Sequence, residues 1–145
     1  MSRGVSTALG YVLNLGVAAI LVTTLMLSAG TLVDDQRRAA VETELEVVGE
    51  RVAADLSATD RLARASDGGS VRYVVDVPER VAGTTYDVRV NESGNDHVVL
   101  VSERPSVRVS VPYDSETHVP AATYSDGRFA FVYDADADAL EVERV

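Results

Sequence analysis

The sequence contains no cysteine and no lysine, and its four prolines all lie beyond residue 77. Without cysteine there is no disulfide framework and no thiolate to bind a metal ion or act as a nucleophile. No Gly-x-Ser-x-Gly turn and no glycine-rich phosphate loop is present either. The sequence therefore indicates no enzyme, and it offers no catalytic, cofactor-binding or metal-binding residues.

The basic residues are 13 arginines against 23 Asp and Glu, which gives a net charge of −10. Nucleic-acid binding needs a basic surface stripe, so we expect no nucleic-acid partner. An acidic protein without lysine is typical of extremely halophilic archaea, where molar salt screens the repulsion between surface carboxylates. The alternative is an ordinary acidic protein from a GC-rich genome.

Residues 4–33 carry no charge and consist mainly of Leu, Val, Ala, Ile and Gly. As a helix, residues 5–33 would be about 43 Å long, more than the roughly 30 Å hydrocarbon core of a bilayer. A secretory signal peptide has a shorter apolar region, of about 7–15 residues, before a small-residue cleavage site. We therefore expect a transmembrane helix over residues 5–33. Release of a secreted domain at Ser28-Ala29-Gly30 is the alternative.

The residues just before this segment carry a family resemblance. Residues 3–10, Arg-Gly-Val-Ser-Thr-Ala-Leu-Gly, resemble the start of archaeal type IV prepilins, and the whole chain is similar to haloarchaeal pilin-like membrane proteins. Thr7 stands where archaeal pilins usually have Pro, and Leu9 where bacterial pilins have Glu. The resemblance implies that a prepilin peptidase removes residues 1–4 by cutting between Gly4 and Val5. It also implies two further partners, the lipid bilayer and other pilin-like subunits that bind through the N-terminal helix.

Two rules disagree about the orientation in the membrane. Only Arg3 precedes the apolar segment, while Arg37 and Arg38 follow it, and this count would place the C-terminal side in the cytoplasm. Pilin-like precursors instead keep the leader in the cytoplasm. We adopt the second rule and expect a single-pass protein of the cell membrane with an extracellular C-terminal domain.

Residues 34–66 have the pattern of an amphipathic helix. Apolar residues recur mostly three or four positions apart and form one stripe along it. The stripe comprises Val41, Leu45, Val48, Val52, Leu56 and Leu62. Gly49 costs this helix about 1 kcal/mol relative to Ala, but no proline separates it from the apolar segment, so we expect one continuous helix. The stripe should pack against the downstream domain, and a coiled coil with another subunit is the alternative.

Residues 67–145 are predicted to form a β-rich surface domain. Tyr86, Val88 and Val90 alternate with Asp87 and Arg89, as in a half-buried strand. The predicted strands are 71–77, 86–90, 97–102, 106–111, 128–133 and 139–144. The predicted fold class is α+β, a long N-terminal helix followed by a small antiparallel sheet with one face covered by the helix.

Three motifs in this domain bear on function. Asp134, Asp136 and Asp138 alternate as at the start of a calcium loop, but the required Gly and the twelfth-position Glu are missing, so we expect an acidic turn. His97 and His118 lack the spacing of a metal pair. Asn91 opens an Asn-x-Ser sequon and is a candidate glycosylation site if the domain is extracellular.

The sequence therefore predicts a non-enzymatic, single-pass cell-surface protein, a minor pilin-like subunit or assembly component of a type IV pilus-like system. The alternative is a stand-alone membrane-anchored binding domain that does not enter a filament.

The acidic composition predicts that the β-rich domain depends on salt. In about 0.1 M salt the Debye length is near 10 Å, so carboxylates repel one another over a longer distance than in molar salt. We expect the β signal in circular dichroism to fall on transfer from molar salt to this buffer. An unchanged signal would contradict the halophilic interpretation.

Overall fold

The computed structural model describes all residues except Met1, Asp67, Ser93 and Asp126, and it describes side chains from Ala8 onward. Its elements in chain order are α1 (Ser2–Ala65), β1 (Val71–Asp76), β2 (Tyr86–Val90), β3 (His97–Glu103), β4 (Ser106–Pro112), β5 (Ala122–Tyr124), β6 (Arg128–Asp134) and β7 (Ala139–Arg144). One long helix followed by antiparallel strands confirms the predicted α+β class.

The helix α1 runs without a break through 64 residues, because no proline removes a backbone donor along it. The helix ends at Ala65. The hydroxyl of the next residue, Ser66, donates to the carbonyl of Ala63 at 2.7 Å. Gly68 then adopts a φ of 89°, a left-handed conformation that glycine takes without steric cost. The chain divides into two compact units, Met1–Gln36 and Arg37–Val145, which we describe separately.

The second unit contains two antiparallel sheets. One has the strand order β1-β6-β7 and the other β4-β3-β2-β5. The sequence predicted six strands in one sheet, whereas the described part of the chain has seven strands in two sheets. The missed strand, β5, has three residues, too few for an alternating pattern to be recognised.

The two sheets meet at their edge strands β5 and β7. Tyr124 of β5 stacks on Phe129, with ring centroids 5.4 Å apart, and its hydroxyl donates to the carbonyl of Val142 in β7. The main-chain N–H of Leu140, also in β7, donates to the carbonyl of His118 at 2.8 Å. These bonds satisfy polar groups that would otherwise be unpaired at the sheet edges.

The hydrophobic core takes side chains from both sheets and from the second part of α1. Its large helical members, Val41, Leu45, Val48, Val52 and Leu56, are at most 7% exposed. Ala53 also belongs to this core. The stripe therefore packs within its own domain, as the first of the two alternatives predicted. Leu62 was wrongly placed in the stripe, since it is 51% exposed. Ala63, which is 2% exposed, lies in the core at that level of the helix.

A tight hairpin binds the start of this helical stretch. Val81 and Thr84 pair across a two-residue turn in which Ala82 and Gly83 both have positive φ, 44° and 77°. Two consecutive positive φ angles are typical of the turn that matches the twist of a hairpin. The N–H of Ala82 donates to the carboxylate of Glu44 at 2.5 Å, which fixes the turn against α1.

At Gly49 the helix α1 lies close to side chains of the larger sheet. A Cβ atom added there would lie 2.7 Å from Cδ1 of Leu100 and 2.8 Å from Cγ2 of Val111. Real Cβ contacts are longer, so a side chain at position 49 would require the side chains of Leu100 and Val111, or the backbone around them, to shift. The glycine that weakens the helix as an isolated element therefore leaves room for the side chains of Leu100 and Val111.

Replacing Gly49 with Ala should destabilise the domain although Ala favours the helix. Overpacking costs about 1–3 kcal/mol, against a gain in helix propensity of about 1 kcal/mol. We expect a lower urea midpoint for Gly49→Ala, measured by circular dichroism on the full chain in detergent. Gly30→Ala is the matched control because nothing lies within 4 Å of its added Cβ. An equal or higher midpoint for Gly49→Ala would contradict the close approach.

Candidate membrane-spanning segment

The described apolar side chains of the first unit are exposed. From Ala8 to Val33 each described side chain is exposed and none is charged. The large side chains in this stretch are Leu9, Tyr11, Val12, Leu13, Leu15, Val17, Ile20, Leu21, Val22, Leu25, Met26, Leu27, Leu32 and Val33, between 49% and 72% exposed. Contiguous apolar surface of this extent marks a membrane or protein contact. The helix is long and apolar enough to cross a membrane, and it is a candidate single span.

Most hydroxyl groups in this segment are satisfied within the helix itself. The hydroxyls of Thr23, Thr24 and Thr31 donate to the carbonyls of Ala19, Ile20 and Ser28 at 2.8, 2.9 and 2.9 Å. Such bonds hide the polar group from a surrounding hydrocarbon phase, where an unpaired donor is costly. These threonines are therefore compatible with lipid, and they do not interrupt the candidate span.

The predicted processing residues Gly4 and Val5 lie within α1, but their side chains are outside the described part of the chain. The cut between them stays a prediction.

The glycosylation candidate Asn91 has a structural role in the folded unit. It adopts a φ of 53°, and its Nδ2, the atom that a glycan would join, donates to the carbonyl of Val119 at 2.5 Å. Its Oδ1 is buried. Ser93 of the sequon lies outside the described residues. Adding a glycan to the folded unit would therefore disturb this bond. Modification at Asn91, conditional on an extracellular domain, stays a prediction.

The middle residue of the sequon also anchors the β2–β3 turn. Glu92 accepts hydrogen bonds from Arg89, at 2.6 Å, and from Arg108. These bonds from Arg89 and Arg108 lower the pKa of Glu92 below its usual range.

The acidic turn that resembled a calcium loop uses its carboxylates internally. The Oδ1 of Asp134 accepts the N–H groups of Asp136 and Ala137, at 2.8 and 3.3 Å, and Asp138 accepts the hydroxyl of Tyr133 at 2.9 Å. Among the described residues no group of three or more His, Asp and Glu side chains could hold a metal ion. The structure brings His97 and His118 into no such group.

The sequence reasoning missed Asp60, which joins α1 to the connection between β4 and β5. Asp60 is 1% exposed and accepts hydrogen bonds from the N–H of Thr117 at 3.0 Å and the hydroxyl of Ser115 at 3.2 Å. Arg64, one turn further along α1, pairs with Asp60 at 3.0 Å and with Glu116 at 2.9 Å. We call residues 113–121 the strap, because this connection is bonded to α1, to the β2–β3 turn and to β7.

Electrostatics keep Asp60 ionised. Burial alone would raise the pKa of its carboxyl group, but the hydrogen bonds from Thr117 and Glu116, together with Arg64, lower the pKa below its ordinary 3.8.

The sequence does contain a pattern that indicates this role of Asp60. Asp60 follows the stripe residue Leu56 by four positions and precedes Arg64 by four, so a carboxylate lies on the apolar face beside a cation.

These features define a class, an α+β protein whose N-terminal helix is a candidate membrane span and whose strands form one folded unit. The chain belongs to DUF7266, a family of unknown function whose model matches residues 1–144. No curated protein and no solved structure matches the chain.

Substituting Asp60 should destabilise the second unit in a pH-dependent way. We expect Asp60→Asn to lower the free energy of unfolding by about 2 kcal/mol at neutral pH. The amide oxygen can still accept hydrogen bonds, but it lacks the charge that strengthens them and that pairs with Arg64. Since the folded-state pKa is lowered from 3.8, the stabilisation is present above that pH and is lost as the pH falls through the folded-state value. Urea unfolding of the two proteins across this pH range measures the difference.

Glu50→Gln is the matched control, because Glu50 is an exposed carboxylate on the same helix. We expect it to follow the wild-type protein at each pH. A difference between wild type and Asp60→Asn that does not shrink in acid would contradict the assigned role of the carboxylate.

Proposed function

We propose that this protein is a non-enzymatic, single-pass cell-surface protein, a minor pilin-like subunit or assembly component of a type IV pilus-like system. The observation that carries the proposal is one uninterrupted helix with two kinds of surface. Residues 8–33 expose their apolar side chains, whereas the stripe from Val41 to Leu56 is buried in the core of the β unit. A pilin-like subunit needs both, an anchor and the spine of a small β domain, on the same helix.

The polar chemistry of the first unit supports the membrane part of the proposal. Three threonines return their hydroxyls to the helix backbone, and every backbone group in a helix interior is bonded within the segment. Asp34 and Asp35 begin the charged region directly after Val33. A change from an uncharged to a charged stretch within one helical residue is typical of the boundary between hydrocarbon and water.

In this proposal the leader lies in the cytoplasm and the β unit lies outside the cell. A peptidase at the cytoplasmic face cuts between Gly4 and Val5, where glycine allows close approach of the backbone because it lacks a Cβ atom. Removal of Arg3 takes away a charge that holds the helix at the headgroups, and the apolar segment remains on the mature protein.

The mature N-terminus tests this function. Mass spectrometry of the protein isolated from its native membrane should find Val5 as the first residue. Gly4→Leu should leave membrane insertion intact and abolish the mobility shift that accompanies processing, because the bulky side chain obstructs the cut. Gly16→Leu, a matched change within the apolar segment, should be processed normally.

Each other outcome has a distinct meaning. A native protein that retains Arg3 would overturn the pilin-like function and favour a stand-alone, membrane-anchored binding domain. A mature protein that has been cut at Ser28-Ala29-Gly30, lacks the span and appears in the medium would instead favour a secreted domain.

A further inference from the structure

Asn14 is the only carboxamide in residues 5–33, and the helix leaves it without a hydrogen-bond partner. The three threonine hydroxyls described above are bonded to carbonyls, but the described residues supply no hydrogen bond to the Asn14 carboxamide. Counted along the helix, Asn14 is about 7 Å from the middle of residues 5–33, well inside a hydrocarbon core of roughly 30 Å. An amide at that depth is costly unless another polar group bonds to it.

The residues that share a helical face with Asn14 form a distinct stripe. Steps of four and three residues keep positions on one face of a helix and give the seam of a helix pair. The Asn14 stripe comprises Gly10, Asn14, Val17, Leu21, Thr24, Ser28 and Thr31. It combines the carboxamide with three hydroxyl residues and with a glycine that has nothing within 4 Å of its added Cβ. Small and hydroxyl-bearing residues are those that allow helices to approach closely in a membrane.

We propose that the Asn14 stripe binds the same stripe of a second copy of this chain, so that two parallel helices pair within the bilayer. The proposal rests on the membrane anchoring proposed above. All copies insert with the same orientation, so a parallel pair places Asn14 opposite Asn14 at the same depth. A carboxamide both donates and accepts hydrogen bonds, so two copies satisfy each other. Self-complementarity is the reason for assigning a second copy as the partner.

A second face of the same helix provides the internal comparison. Gly16, Ala19, Thr23 and Gly30 lie on the opposite side, and they too are small. The only side-chain hydroxyl on that face, of Thr23, is already bonded to Ala19. Close packing of small residues alone would be equally possible through either face. The Asn14 carboxamide gains a hydrogen-bond partner only if the Asn14 stripe contacts the second helix.

Disulfide cross-linking in native membranes distinguishes the two faces. The chain has no native cysteine, so single-cysteine variants give unambiguous cross-links. We expect a mild oxidant to convert Val17→Cys and Leu21→Cys into dimers and to leave Ala19→Cys and Thr23→Cys monomeric. Dimers formed through the Ala19 face, or equal cross-linking at all four positions, would overturn the proposal.

Substitution of the carboxamide tests its contribution. We expect Asn14→Leu to weaken association of the full chain about three- to thirtyfold, measured by energy transfer between labelled copies in lipid vesicles. Asn14→Gln should retain most of the association, because it keeps both donor and acceptor. Thr23→Val is the matched control and should change nothing. Undiminished association of Asn14→Leu would overturn the role of Asn14.

Two further measurements separate this proposal from the proposed function. Chain that alkaline carbonate releases from membranes would overturn both, because no span would exist. A chain that stays in the membrane and begins at Val5, but gives no dimer at any cysteine position, would overturn the pairing alone. Cross-linking of the Val17→Cys and Leu21→Cys variants to a different membrane protein, with no dimer, would also overturn it.

Discussion

The two sheets of the β unit share no strand, and both pack against one apolar stripe on α1. Burying a large aliphatic side chain contributes about 2 kcal/mol, and the stripe supplies five of them between Val41 and Leu56. Around this contact the other attachments are polar and local. Glu44 holds the hairpin turn at one end of the stripe, and Asp60 holds the strap at the other. The buried side chains of both sheets and of the stripe belong to one hydrophobic cluster, so this core is incomplete without the helix.

The parts of the fold that repeat with a regular period could be predicted from the sequence. The spacing from Val41 to Leu56 predicted a buried helical face, and alternation within β2 predicted a half-buried strand. The stripe was extended too far, to Leu62, because a count of apolar residues does not detect a buried carboxylate. Asp60 is buried through its hydrogen bonds, and the donors, Ser115 and Thr117, are more than 50 residues away in the chain.

Long-range pairing explains the other differences. The number of sheets depends on which strands pair, and β1 pairs with β6 rather than with its neighbour β2. Nothing in the local pattern of either strand specifies that choice. The role of Gly49 has the same origin, since its cost within the helix is a local property and its benefit arises from Leu100 and Val111. The candidate span, by contrast, is identified by composition and length alone. A bilayer selects for both without requiring any particular tertiary contact.

The pairing of β1 with β6 also has a consequence for the order of folding. Val71 is opposite Tyr133, so the smaller sheet closes a loop of about 60 residues, whereas β2, β3 and β4 pair with their neighbours in sequence. Local hairpins form sooner than distant pairs. The larger sheet can therefore assemble while the chain is still being synthesised. β1 has no partner until β6 has been synthesised, and an unpaired strand edge favours aggregation during that interval.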